Sequence, residues 1–242
     1  MTSKQLFIIL LTVVLAVLLY FAPKMTSGKK QELEENVDFI KTFEAAKKTL
    51  NTEQLIVFKK LEEMHKKAES LNDENTWQAS GLEFLKAGRY FQDNNKAALY
   101  KEAIRSFKKA LEINEGNLSA KTNLGTCIVE SAALLGNPPM QGISLLREVI
   151  AIDSLNIDAN QQLGLFSVTS RQFDKAIERF QRILRIDSTH IDMYVYLGDT
   201  YLSMGEKQKA IESYENYKIR VKDTLVSKDI DEYIKKLKQN KN

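Results

Sequence analysis

Between Ile157 and Thr224 the sequence repeats itself in register at a spacing of 34 residues. Gln162-Leu163-Gly164 returns as Tyr196-Leu197-Gly198, Ala176-Ile177-Glu178 returns as Ala210-Ile211-Glu212, and Phe180 returns as Tyr214. A period of this size admits few architectures. Each copy is one small unit with an apolar face that it cannot bury alone, so stacked neighbours must cover it. The pattern inside a copy is helical. Leu163, Leu165, Phe166 and Val168 surround a small Gly164, which suits a helix crossing another at close range. The polar stretch Arg171 to Asp174 ends in a residue type that caps helices well. Ala176, Ile177, Phe180, Ile183 and Leu184 then follow helical spacing to Asp187.

A helix–turn–helix unit whose small, apolar and aromatic landmarks recur every 34 residues resembles the tetratricopeptide repeat (TPR) family. The resemblance implies an all-α, TPR-type helical solenoid. It extends upstream in weaker form. Trp77, Gly81 and Phe84 match landmarks of a first helix, and Ala103, Phe107 and Ala110 those of a second. Leu124-Gly125, Gly142 and Leu146 mark another unit. Four repeats are expected, over residues 73–117, 118–156, 157–190 and 191–224. The first two carry insertions between their helices. Gly81 to Ala103 spans ten residues more than Gly164 to Ala176, and Gly125 to Gly142 spans five more. Residues 89–99, with a turn at Asp93-Asn94-Asn95, carry the first; the break Gly136-Asn137-Pro138-Pro139 supplies the second. Insertions on one side of a solenoid mark either a contact surface or tolerated loop variation. Residues 225–242 read as a capping helix, with Ser227 as its N-cap, acidic residues early and lysines late.

The N-terminal part lacks these landmarks. Leu6 to Ala22 is an apolar run relieved only by Thr12 and Tyr20, flanked by Lys4 and Lys24. As a helix it would measure about 25 Å, the short end of what spans a bilayer. A cleaved signal peptide is the rival reading, but Tyr20-Phe21-Ala22 is bulky where a cleavage site wants small residues, and Pro23 follows directly. Residues 6–22 are therefore read as a transmembrane anchor and residues 23–30 as a linker. The short tail before the apolar run resembles an export signal and places the repeats outside, on the periplasmic side of a bacterial inner membrane. Lys24, Lys29 and Lys30 argue for the opposite orientation. Residues 31–72 carry two amphipathic stripes, broken at Asn51-Thr52, and read as a helical hairpin or a degenerate repeat.

Chemistry is sparse. The chain has 242 residues and a net charge of +3, which gives no electrostatic support to nucleic-acid binding. Cys127 is the single cysteine, so there is neither an intrachain disulfide nor a multi-cysteine metal site, and it reads as a small packing residue. His65 follows Glu62 in a lone Glu-x-x-His on a charged helix and is expected at the surface. No nucleophile motif or phosphate-binding loop is present. No catalytic residue, cofactor or metal is expected.

The resemblance also implies a site. In TPR proteins the first helix of each unit lines a concave groove that holds extended peptides. By alignment the lining is Gln78 and Leu82 in the first unit, and Thr122, Asn123 and Thr126 in the second. Gln161, Gln162 and Leu165 follow in the third, and Val195, Tyr196 and Asp199 in the fourth, with Asp158 and Asp192 at the rim. Asn123 matches one position of the carboxylate clamp known in chaperone-binding members. Gln78, Asp158 and Gln162 stand where that clamp has cations, so no clamp is expected. The expected function is a membrane-tethered adaptor or scaffold for protein or peptide partners, of the kind that serves an envelope or export complex as a chaperone-like subunit. A cytoplasm-facing docking receptor is the alternative in the same layout, and an enzyme or enzyme accessory using the insertions is the alternative from another class.

Overall fold

The computed structural model describes residues 50–92 and 95–239, with Glu44 and Lys48 besides. The expected anchor at 6–22, the linker at 23–30 and nearly all of the first hairpin stripe lie outside the described residues, as do Asp93 and Asn94 of the first insertion. No helix among the described residues is long and apolar enough to cross a membrane.

Helices begin where short polar side chains can hold their first free N–H groups. Asn51 opens α1 (Thr52–Leu71) with a reciprocal capping box: its Oδ1 accepts from Gln54 N–H at 2.9 Å, and Gln54 Oε1 accepts from Asn51 N–H at 3.1 Å. Asp73 caps α2 (Glu74–Tyr90), accepting the Thr76 backbone N–H at 3.0 Å and its hydroxyl at 2.9 Å. These bonds hold the Asp73 carboxyl below its usual range. The chain continues through α3 (Asn95–Ile113), α4 (Leu118–Leu135), α5 (Met140–Ile152), α6 (Ile157–Thr169), α7 (Phe173–Ile186), α8 (Met193–Ser203), α9 (Lys207–Arg220) and α10 (Thr224–Gln239). Asn117 and Asn156 cap α4 and α6 in the same way.

Two caps differ from the sequence reading. Asp174 lies inside the first turn of α7, where its charge meets the positive helix end, and Gln172 precedes the helix without a side-chain cap. Helix α10 starts at Thr224, and Asp223 caps it instead of Ser227, accepting from the N–H groups of Leu225 at 2.8 Å and Val226 at 3.3 Å. The turns into α7 and α9 are copies of one another. Arg171 and Gly205 stand in register, both left-handed with φ of 58° and 77°. The next N–H in each reaches back to the Ser167 or Tyr201 carbonyl, at 2.8 Å in both. Gly205 takes this conformation freely, whereas Arg171 has its Cβ crowded there.

Packing is closest within the pairs α2/α3, α4/α5, α6/α7 and α8/α9, and each pair leans on the next. The described residues form an all-α, TPR-like solenoid. Its core runs along the stack. Phe58 and Leu61 of α1 join Phe84, Phe107, Leu124 and Cys127 in one cluster. Ile143, Leu146 and Leu163 form the next, Phe180, Ile183 and Leu197 the third, and Tyr214 with Ile234 of α10 the last. Each cluster mixes residues of adjacent pairs, which is how a face too large for one unit is covered.

Small residues set the spacing within a pair. A Cβ added at Gly164 would stand 2.6 Å from Phe180, and one at Gly198 would stand 2.5 Å from Tyr214. In the second pair the contact is backbone on backbone: a Cβ on Gly142 would meet the Gly125 carbonyl oxygen at 2.5 Å. A side chain can rotate away, but a carbonyl inside a helix cannot. Gly142→Ala is expected to cost about 1–3 kcal/mol through overpacking, read as a lower denaturation midpoint. An unchanged midpoint would show that α4 and α5 are free to part.

His65 is not at the surface. Only 7% of it is exposed, and its ring meets Trp77 and Phe84 edge-on. Its Nδ1 lies 3.0 Å from Glu102 Oε1 and its Nε2 lies 3.2 Å from Glu69 Oε1. Arg105 bridges the same two carboxylates, at 2.8 Å to Glu102 and 3.4 Å to Glu69, and sits over the Trp77 ring at 5.5 Å. This ionic cluster fastens α1 to the first pair.

Candidate functional site

The first helices of successive pairs approach one another directly: α2 meets α4, and α4 meets α6. No comparable contact joins successive second helices among the described residues. Helices on the inside of a curved stack are the ones drawn together, so α2, α4, α6 and α8 form the inner wall. All the expected groove residues lie on these helices except Asp192, which directly precedes α8.

They are not equivalent. Thr122 and Thr126 are buried, each with 3% of its surface exposed, and the Thr122 hydroxyl donates to the Leu118 carbonyl of its own helix at 2.8 Å. They pack the wall and offer little to a ligand. Gln78 is half-buried and committed, donating to Ser119 Oγ at 3.0 Å and accepting from Asn117 Nδ2 at 2.7 Å. Asn123 donates to the Ser119 carbonyl at 2.9 Å. Leu82 packs on the first core cluster with part of its surface open.

The second half of the wall is different. Gln161 and Gln162 are half-exposed on α6, and their amides make no hydrogen bond with any other described residue. Beside them Leu165 and Tyr196 pack on the same core cluster while keeping part of their surface open. Tyr196 stacks on Phe180 with ring centroids 5.4 Å apart and planes at 26°, so its face is fixed by a fully buried neighbour. Val195 packs on the last cluster. Asp158 and Asp192 are exposed. Asp199 is exposed too, yet it accepts from the Tyr214 hydroxyl at 2.6 Å. With desolvation as the larger cause, this pushes the Tyr214 phenol well above its usual range.

The wall so formed has amide donors and acceptors, an apolar floor of Leu165 and Tyr196, and carboxylates without a cation among its assigned positions. That set can pair with an extended backbone and favours a neutral or basic chain over an acidic one. The alignment could not foresee a second polar junction near Asn123. Arg89 holds Glu130 with two hydrogen bonds of 2.9 and 2.7 Å, and the Tyr100 hydroxyl donates to the same carboxylate at 3.0 Å. It locks the first pair to the second. Cys127 beneath it is fully buried, and desolvation raises its thiol pKa strongly, in keeping with a packing role. No group of three or more His, Cys, Asp or Glu placed to hold a metal occurs among the described residues.

Comparison with known proteins agrees with this geometry. Residues 191–217, which cover α8 and most of α9, match the tetratricopeptide repeat family. Among solved structures the chain is similar to MamA, residues 41 to the end, from Desulfovibrio magneticus RS-1. The identity is 18%, the match covers 76% of this chain and 95% of that one, and the TM-score is 0.53. It is similar to a MamA RS-1 double mutant at 19% identity, with 74% and 93% covered and a TM-score of 0.51. A further similarity is to YrrB, described as a TPR protein with an unusual peptide-binding site, at 20% identity, 70% and 97% covered, and a TM-score of 0.46. No curated protein matches the chain. The MamA likenesses define the class, a solenoid of TPR-type helix pairs; the sequence match marks α8 and α9 as a tetratricopeptide repeat.

Proposed function

We propose that this protein is an interaction scaffold whose inner wall takes an extended, neutral or basic peptide across α6 and α8. The observation that carries the reading is the pairing of uncommitted amides at Gln161 and Gln162 with the half-open apolar faces of Leu165 and Tyr196. Amides serve the peptide backbone, and apolar faces receive alternate side chains. The carboxylates of Asp158, Asp192 and Asp199 bias the choice of partner by charge. A chain ending in a carboxylate finds no clamp here.

The reading includes a tether. The apolar run 6–22 with its flanking lysines supports a single membrane span, with the repeats on the periplasmic side serving an envelope complex. Tethering raises the effective concentration of a weak groove for partners at the same membrane. A cysteine placed at exposed Ser188 should react with an impermeant maleimide in intact cells stripped of the outer membrane; labelling only after lysis would reverse the orientation.

Tyr196→Ala is the variant that tests the groove. It is expected to lower partner recovery by about tenfold or more, the loss of one aromatic anchor, while the fold is kept because the ring is only half-buried. Undiminished recovery would place the binding surface elsewhere.

A further inference from the structure

Away from the inner wall, the link between α5 and α6 and the last turns of α7 enclose an open cavity of about 490 Å³, lined by Leu155, Arg182, Arg185 and Ile186. Its composition departs from the repeat. The links in matching register have Gly116 and Thr189 where this one has Leu155. The residues 34 positions before and after Arg185 are Ala151 and Ile219; those around Arg182 are Glu148 and Asn216. Leu155 is 63% exposed, an unusual place for a leucine in a tight polar turn.

The charge around the cavity is incompletely balanced. Arg182 has Glu178 at 3.1 Å, but Arg185 and nearby Arg147 make no hydrogen bond or ion pair with any other described residue. Arg179 is half-buried against Asn160 at 3.2 Å. Its pKa is lowered by burial and, against the pull of Glu178, by Arg182 and Arg147. Guanidinium groups gathered this way call for an anion from outside, and the planar fork suits a carboxylate.

We infer that this cavity is a second docking site, for an acidic segment of a partner protein in which a carboxylate side chain adjoins an aliphatic one. The carboxylate meets Arg182 and Arg185, and the aliphatic side chain covers Leu155 and Ile186. The cavity is open at the surface, which suits a chain running across it rather than an enclosed small molecule. The inner wall favours neutral or basic chains, so the two sites select opposite charges. One scaffold can then hold two unlike partners at once.

The test uses the purified full chain in mild detergent and a fluorescein-labelled, end-capped peptide of alternating leucine and glutamate, followed by anisotropy. Saturable binding is expected, weakened about tenfold or more by Arg185→Gln and by Leu155→Gly, and unchanged by Tyr196→Ala. Matched melting curves show that the variants fold. Four results would overturn the inference: no saturable binding, full affinity in Arg185→Gln, equal binding of the peptide with glutamine for glutamate, or loss of binding in Tyr196→Ala. The groove variant and the cavity variants are separate, so failure of either site leaves the other testable.

Discussion

Phe180→Ala is expected to destabilise the solenoid by about 3–5 kcal/mol, the range for removing a large buried ring. Nothing of Phe180 is exposed. Its edge fills the space over Gly164, so alanine would leave a void that two helices already in close contact cannot readily close. Stability of a domain is roughly 5–15 kcal/mol, and a loss of this size removes a large part of it. The effect reaches the groove, because Tyr196 stacks on this ring and would lose its support. Denaturant titration measures the loss, with Phe180→Leu as a milder companion. A loss below about 1 kcal/mol would contradict the packing described for the third pair.

Glu102→Ala should be comparably severe, at about 3–5 kcal/mol, for an electrostatic reason. Only 2% of Glu102 is exposed, and it faces His65 and Arg105 at 3.0 and 2.8 Å. Without it, Arg105 keeps only the more distant and exposed Glu69, and the imidazole loses one of its two carboxylates. The cost comes from leaving charge buried and poorly paired; a buried ion pair need not itself stabilise much. The same logic makes the variant informative. Loss of α1 protection in hydrogen exchange, with α6 to α9 unaffected, is expected, since repeat stacks respond locally. Uniform loss of protection would show a tighter coupling than the stack of clusters implies.

Residues that mark the meeting of two helices were legible in the sequence, because the geometry of the pair fixes their spacing. Gly164 under Phe180 and Gly198 under Tyr214 are the same contact, 34 residues apart, and both were visible as letters in register. The ionic cluster was not legible. Its members come from α1 and α3, 37 positions apart for His65 and Glu102, and no period links them. A carboxylate on an amphipathic helix reads as solvated unless its partner is known. The groove was legible only by position. Alignment gave helix and register for Thr122 and Thr126, but burial depends on how closely α4 lies against its neighbours, which the sequence does not state. The caps fall between these cases. Asp223 and Ser227 are both good N-caps, and the fold chose the one that starts α10 earlier.

The central claim, that the inner wall across α6 and α8 holds a partner, is tested most directly by photo-crosslinking in cells from position 162. Exposed Glu212 on α9 serves as control. The account predicts one discrete adduct from 162, none from 212, and loss of the adduct when Tyr196→Ala is introduced into the same chain. Equal capture from both positions, or an adduct indifferent to Tyr196→Ala, would contradict it.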